Sequence, residues 1–407
     1  MAGGYAAYKP LKLGDLEQVY GLMRVVFPNE RVDELIGRLL DHYPEITLDH
    51  VFTVRRGWET VAALILIPQT WVLGGVELRV AEMGCVATHP DHRRRGLQRT
   101  LNRAFDAYAA EHGFDLCALA GIPFFYRQFG YEYAVELDHR TTLEAERIPG
   151  YPPSLKARPF TEGDLGAASE MLEAAMSRCL VSSPRVRAVW LMQHRTGHYN
   201  GEPFEGMALT AGGDLKAYVR ISVDAAGGAL VLREAGLKSP AYAEPVLAYL
   251  KAACRERGLA TVRSQQSYGE EPTRTMVSLG GVSVAPYAWQ VKVVDHLRLF
   301  RKLVPLLESR LRGSGYSGLT ETMSLNFRRF SVVLSVEGGR ITDVELSDDC
   351  RDRTVGLNPY VFPQLLLGHR SLGELEAAYP DVRVRDTHRP LLEAMFPRGP
   401  GYIHHVY

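Results

Sequence analysis

Residues 86–101 read VATHPDHRRRGLQRTL. An apolar run ends at Thr88, Pro90 cannot donate to a strand ladder, and three arginines follow. After Gly96, residues Leu97, Leu101, Ala104, Phe105 and Tyr108 fall on one helical face. The stretch predicts strand, basic turn, helix. Such a turn suits a phosphate, because the first amides of a helix have no partner within it and the helix dipole adds positive potential. Gly96 has no Cβ, so a diphosphate can approach the backbone, and Arg93, Arg94 and Arg95 add charge. The turn lacks the lysine and hydroxyl residue of a Walker loop, and it is not GxGxxG, which argues against nucleotide hydrolysis and dinucleotide binding. The plainer alternative is a basic helix start on a solvated face.

Working outward, Leu16, Val19, Tyr20, Met23 and Val26 recur at helical spacing, as do Leu35, Ile36, Leu39, Leu40 and Tyr43. Strand runs follow at 51–54 and 61–67, a hairpin pairs 71–73 with 76–80 around Gly74-Gly75, and 82–88 and 114–119 read as further strands. This is a mixed α/β arrangement with a central sheet. Beyond it, residues 124–131 read FFYRQFGY, with Tyr126 the polar member of an aromatic cluster. Its position after the strand that neighbours the basic turn makes it a candidate catalytic group; core packing with a satisfied hydroxyl is the alternative.

Residues 148–153, IPGYPP, have linker composition. Just after them, Pro159, Gly163, Asp164 and Leu165 repeat the spacing of Pro10, Gly14, Asp15 and Leu16, and both sets open an amphipathic helix, which suggests a duplicated domain. A third segment starts near Asp295 with a helix at 297–311 and a hairpin turning at Gly338-Gly339; 363–368 and 371–378 look helical. The end, MFPRGPGYIHHVY, is expected to be docked rather than frayed. The 407 residues carry 47 basic and 47 acidic side chains, so the basic excess of a nucleic-acid or membrane-surface protein is absent. Five scattered cysteines form no CxxC pair, which argues against a disulfide framework or zinc site and fits free thiols in the cytoplasm. No signal peptide and no membrane span are read, and no metal site.

HPDHRRRGLQ resembles motif A of the GCN5-related N-acetyltransferases, Gln/Arg-x-x-Gly-x-Gly/Ala: Arg93 and Gly96 match, and Gln98 stands where the last small residue is usual. YRQFGY is similar to that family's late tyrosine motif. The whole arrangement, with FPQLLLGHRSLGEL near its end, resembles the mycobacterial enhanced-intracellular-survival (Eis-like) acetyltransferases. The resemblance implies an α/β (α+β) protein of tandem acetyltransferase-fold domains: a catalytic one at 1–147, a degenerate one at 154–292 lacking the cradle, and a sterol-carrier-protein-like domain at 295–407 whose end reaches the active site. It implies acetyl-CoA as co-substrate, with Val86, Ala87 and Thr88 binding its acetyl and pantetheine parts and Arg93, Arg94, Arg95, Gly96, Leu97, Gln98 and Arg99 cradling its diphosphate. By the same resemblance Tyr126 is the acid, the terminal carboxylate of Tyr407 the base, and the assembly a hexamer. His404 or His405 is the alternative base. Glu82 and Phe27 are the substrate-binding candidates, Glu82 for a cationic acceptor. The expected acceptor is an aminoglycoside-like polycation; a protein lysine is the second reading, and a lipid-binding protein with a vestigial first domain the third.

Overall fold

The computed structural model describes residues 4–8, 13–151, 154–224, 226–266, 269–284 and 287–407. The first segment runs β1 (Tyr5–Tyr8), α1 (Leu16–Val26), α2 (Val32–His42), β2 (Val51–Arg56), β3 (Glu59–Leu73), β4 (Val76–Thr88), α3 (Leu97–Glu111), β5 (Leu116–Leu119) and β6 (Glu132–Glu136). The predicted apolar stripes are the buried ones: Leu16, Val19, Leu22 and Met23 on α1, and Leu97, Leu101 and Phe105 on α3. Gly74 and Gly75 turn the β3–β4 hairpin with φ of 53° and 89°, the pair of positive values a tight hairpin turn requires. The strands expected separately at 76–80 and 82–88 are one continuous β4.

The second segment runs β7 (His139–Glu144), β8 (Lys156–Pro159), α4 (Leu165–Met176), β9 (Val181–Ser182), α5 (Arg187–Thr196), a small β10–β11 hairpin (His198–Tyr199, Glu202–Pro203), β12 (Glu205–Ala211), β13 (Asp214–Asp224), β14 (Ala229–Leu237), α6 (Ala243–Glu256), β15 (Thr261–Gln266), α7 (Thr273–Ser278), β16 (Val282–Val284) and β17 (Ala288–Val293). The third holds α8 (His296–Arg312), β18 (Glu321–Asn326), β19 (Ser331–Glu337), β20 (Arg340–Ser347), β21 (Val355–Gly356), α9 (Phe362–Leu366), α10 (Leu372–Ala378), β22 (Arg383–Val384), α11 (Arg389–Met395) and β23 (Gly401–Tyr402). Its core is filled by packed rings of Phe300, Phe327, Phe362 and Phe396.

The first sheet has the order β1-β2-β3-β4-β5-β17-β6, with β9 and β23 joined at the end of β3. The second has the order β8-β12-β13-β14-β15-β7-β16. Position by position the two orders correspond, and in both the fourth and fifth strands are parallel. Each sheet takes its sixth strand from across the 148–153 linker: β17 inserts between β5 and β6, and β7 between β15 and β16. The two units are therefore interlocked by reciprocal strand exchange. The sequence echo has a structural counterpart in that α1 and α4 both begin at a leucine after a short 3₁₀ turn. Asp15 and Asp164 there each pair with an arginine, Arg55 and Arg158. Pro10 of that echo and Pro152 and Pro153 of the linker lie outside the described residues. Among the described residues no helix is long and apolar enough to cross a membrane.

Candidate active site

β4 and β5 pair in parallel only from Val80↔Leu116 to Glu82↔Ala118. Beyond Glu82 the strands part, and β4 carries a bulge: Ile65 faces Gly84 and Ala63 faces Ala87, leaving two residues of β4 against one of β3. Cys85 in that bulge has φ of 49°, unusual for a residue with a side chain. The gap opens into a cavity of about 910 Å³. Val86, Ala87 and Thr88 of the bulged strand line one wall.

Across from them lies the start of α3. Arg94 and Gly96 have φ of 61° and 76°, a path that turns the chain sharply into the helix. No side chain among the described residues caps this helix, so its leading amides have no side-chain partner. Arg93, Arg94, Gly96, Leu97, Gln98 and Arg99 all line the cavity. The Gln98 amide has both polar atoms buried with no hydrogen-bond partner among the described residues. A diphosphate and pantetheine fit such a wall, since they would supply the partners that the helix start and Gln98 lack. A Cβ at position 96 would meet open space, so within the chain the glycine is required for its backbone angle. Arg95 is a correction. It does not line the cavity; its guanidinium lies 6.0 Å over the Tyr5 ring and reaches the Asp91 carbonyl. The left-handed turns on either side of it point the side chain away.

Tyr126 sits in a 3₁₀ turn, Phe125–Phe129, and lines the cavity with its ring packed edge-on against Phe125 at 5.0 Å. A side chain at Gly121 would run into this ring, so that glycine holds the place open. Burial pushes the Tyr126 phenol up to about 12. It is protonated at neutral pH.

The opposite wall comes from α1, the α1–α2 loop, α2 and β4, and includes Phe27. Glu82 is 1% exposed. Gln69 donates to one of its oxygens and the Tyr407 hydroxyl to the other at 2.9 Å; Gln69 is itself held by the Trp71 indole N–H at 2.8 Å. Burial raises the Glu82 carboxyl to about 7, with the two hydrogen bonds acting against it. Tyr407 crosses from the third segment. β23 pairs with β9, Ser183 bonds His404 at 2.8 Å, and Gln193 donates to the His405 carbonyl at 3.0 Å. Asn200 N–H donates to the main-chain oxygen of Tyr407. The tail is docked, as its composition suggests. His404 and His405 do not line the cavity. Burial holds His405 down at about 4 and His404 well below its usual range, so both are neutral structural side chains.

Of the candidates read from the sequence, the structure therefore gathers Phe27, Glu82, Val86, Ala87, Thr88, Arg93, Arg94, Gly96, Leu97, Gln98, Arg99, Tyr126 and Tyr407 around one cavity. It adds Glu30, Cys85 and Gln128 to the lining and Gln69 behind Glu82. No local pattern marks these; Gln69 acts only because β3 and β4 pair Gln69 with Val80 and so bring it beside Glu82. Among the described residues no cluster of three metal-binding side chains occurs.

Residues 7–134 match the family described as acetyltransferase (GNAT) domain. No curated protein matches the chain. Solved structures similar to it over nearly its whole length include a GCN5-related N-acetyltransferase from Anabaena variabilis, with a TM-score of 0.73 at 15% identity, covering 98% of this chain and 100% of that one. A conserved protein of unknown function from Enterococcus faecalis, described as a probable N-acyltransferase, gives 0.76 at 16%, covering 99% and 100%. Eis1 from Mycobacterium abscessus gives 0.63 at 15%, covering 97% and 98%. At such identities these likenesses speak for the fold. Residues 7–134 thus form a GNAT acetyltransferase domain, built around a bulged strand and an uncapped helix start, and the chain is an acyl-CoA-dependent N-acetyltransferase.

Proposed function

We propose that the chain moves the acetyl group of acetyl-CoA directly to a primary amine held in this cavity, with Glu82 taking the amine's proton and Tyr126 protonating the departing thiolate. The observation that carries this reading is the meeting, in one cavity, of an arginine-flanked helix start, a carboxylate near 7 and a buried protonated phenol. A base is most useful when its pKa lies near the working pH, where it is part ionised and still basic. The amine nitrogen bonds to the thioester carbon as the carbon–sulfur bond breaks; the oxyanion formed on the way suits the amides beyond the β4 bulge. We place the catalytic unit at 1–147, a degenerate unit at 154–292 and a sterol-carrier-like unit at 295–407, the last delivering Tyr407 to the first. A homo-oligomer, hexameric by resemblance, is the assembly to expect from light scattering. An aminoglycoside-like polycation is the acceptor expected from the resemblance, and Glu30 and Glu82 are the carboxylates the cavity lining offers it.

The terminal carboxylate of Tyr407 is the competing base, and two variants separate the readings. Glu82→Gln should lower kcat by about 100-fold or more while acetyl-CoA still stabilises the fold. Tyr407→Phe keeps the carboxylate and removes a donor to Glu82. It should therefore cost activity and move the acid limb of the pH–rate profile upward. A fully active Tyr407→Phe enzyme that dies when one residue is added after position 407 would transfer the role to the terminal carboxylate.

A further inference from the structure

On the acetyl-transfer reading above, we propose that the preferred acceptor is a primary amine borne on an apolar skeleton, an alkyl- or arylalkylamine, rather than a polycation. The cavity has two chemically distinct halves. The cradle half carries the arginines and the start of α3. The other half, where the acceptor must enter, is walled by Val26, Phe27, Val32, Leu35, Met83 and Cys85. The side-chain carboxylates lining the cavity are Glu30, which is exposed, and Glu82, which already accepts hydrogen bonds from Gln69 and Tyr407; the main-chain oxygen of Tyr407 is taken by the Asn200 N–H. One carboxylate deep in the wall can receive one amine. A ligand with three or four ammonium groups would bring the others against apolar side chains, and an unpaired buried charge is costly.

The rim has the same character. Ile122 lines the cavity and is 65% exposed, and Phe124 beside it is 79% exposed. Val25, next to the cavity-lining Val26 at the end of α1, is also exposed. Phe124 is held at φ 72°, ψ −41°, a backbone conformation that disfavours a side chain, with its N–H on the Tyr133 hydroxyl at 3.0 Å. The Tyr133 ring in turn packs edge-on against Tyr287; burial pushes up the phenols of Tyr126 and Tyr407, and Tyr287 adds to it. An aromatic ring held in water by a strained backbone, on the chain between cavity-lining Ile122 and Phe125, is a surface shaped to receive apolar area.

The test is thiol release from acetyl-CoA by the full chain with n-butylamine through n-octylamine, phenethylamine, spermine and an aminoglycoside. We expect kcat/KM to rise along the alkyl series by roughly fourfold per buried methylene before levelling, and spermine and the aminoglycoside to lie at least tenfold below phenethylamine. Phe124→Gly should raise KM for octylamine several-fold with kcat little changed, while relieving the backbone. Polycations turned over best, a flat alkyl series, or no alkylamine turnover despite thermal stabilisation by acetyl-CoA would each overturn the acceptor class alone. Absence of both thermal stabilisation and thiol release from every amine would overturn the acetyl-transfer reading and this inference with it.

Discussion

The first and second sheets share strand order, a parallel central pair and even a bulge on the fourth strand, yet one opens into a cavity and the other is bridged by side chains. In the first, β4 and β5 part after Glu82 and the space stays open. In the second, β14 and β15 part after Leu232, but Gln266 donates to the Ala235 carbonyl and Arg233 to Gln265 across the two strands, and beside them Glu234 is buried against Arg185, Arg220 and Tyr218. Arg185 and Arg220 both stack on Trp190, at 4.4 and 4.8 Å. The helix after β14 starts at Ser239-Pro240-Ala241-Tyr242, where a serine hydroxyl caps a 3₁₀ turn and no arginine or positive-φ glycine stands. The same backbone plan thus yields a ligand site or a solid joint according to which side chains stand where the parallel strands separate. The joint still serves the site: Arg220 bonds Gln193, and Gln193 bonds the tail that carries Tyr407.

Strand exchange makes the comparison breakable at its root. A fragment of residues 1–147 lacks β17, whose Trp289 and Val291 are fully buried and whose Gln290 side chain bonds the Gly121 carbonyl. We expect no cooperative melting and no acetyl-CoA stabilisation from it; a folded, ligand-binding fragment would refute the interlock. Next in size is the buried Glu234 cluster. Arg185 holds the Glu234 carboxyl at about 2 against its burial. Arg185→Met should destabilise the chain by about 3–5 kcal/mol, as read by urea melts, because buried Glu234 loses its two-point partner and keeps only Arg220 at 3.5 Å and the Tyr218 hydroxyl.

Glu82 should respond in the opposite sense. Its folded pKa of about 7 lies above the ordinary carboxyl value of 4.5, so the folded state holds a proton that the unfolded state has released between those values. Its contribution is thus fully present below pH 4.5 and lost as pH rises through 7. Glu82→Gln should therefore raise stability at pH 8, by on the order of 3 kcal/mol, and leave it unchanged near pH 4. Equal melting of variant and parent at pH 8 would place Glu82 in a wetter setting than described. Smallest is Gly96→Ala, which sharpens the comparison of the two helix starts. An alanine at φ 76° costs about 1–2 kcal/mol, so acetyl-CoA affinity should fall several-fold, whereas Tyr242→Ala at the corresponding start of α6 should leave it unchanged by calorimetry.

Local patterns carried much of this architecture. The 3.6-residue stripe after Gly96, the Gly74-Gly75 turn and the hairpin around Gly338-Gly339 each depend on neighbours within a few residues, and the structure has all three. The strand–turn–helix around Arg93 and Gly96 was legible for the same reason, whereas the direction of Arg95 follows from the positive φ of Arg94, a value that arginine seldom adopts and no pattern announces. Glu82 gave no strand signal that distinguished a solvent-facing residue from a buried one, because burial depends on what covers the sheet.

By itself the sequence determined a strand–turn–helix able to hold a phosphate, a tyrosine cluster beyond it, a duplicated helix start and a docked tail, since these are short-range matters of spacing and turn chemistry. Only the tertiary structure decided that β7 and β17 change places, that one parallel gap stays open while the other is bridged by side chains, and that the Tyr407 hydroxyl reaches a carboxylate 325 residues away. Contacts of that range are set by how whole sheets bury their apolar faces against one another. Residue spacing along a single segment carries no record of them.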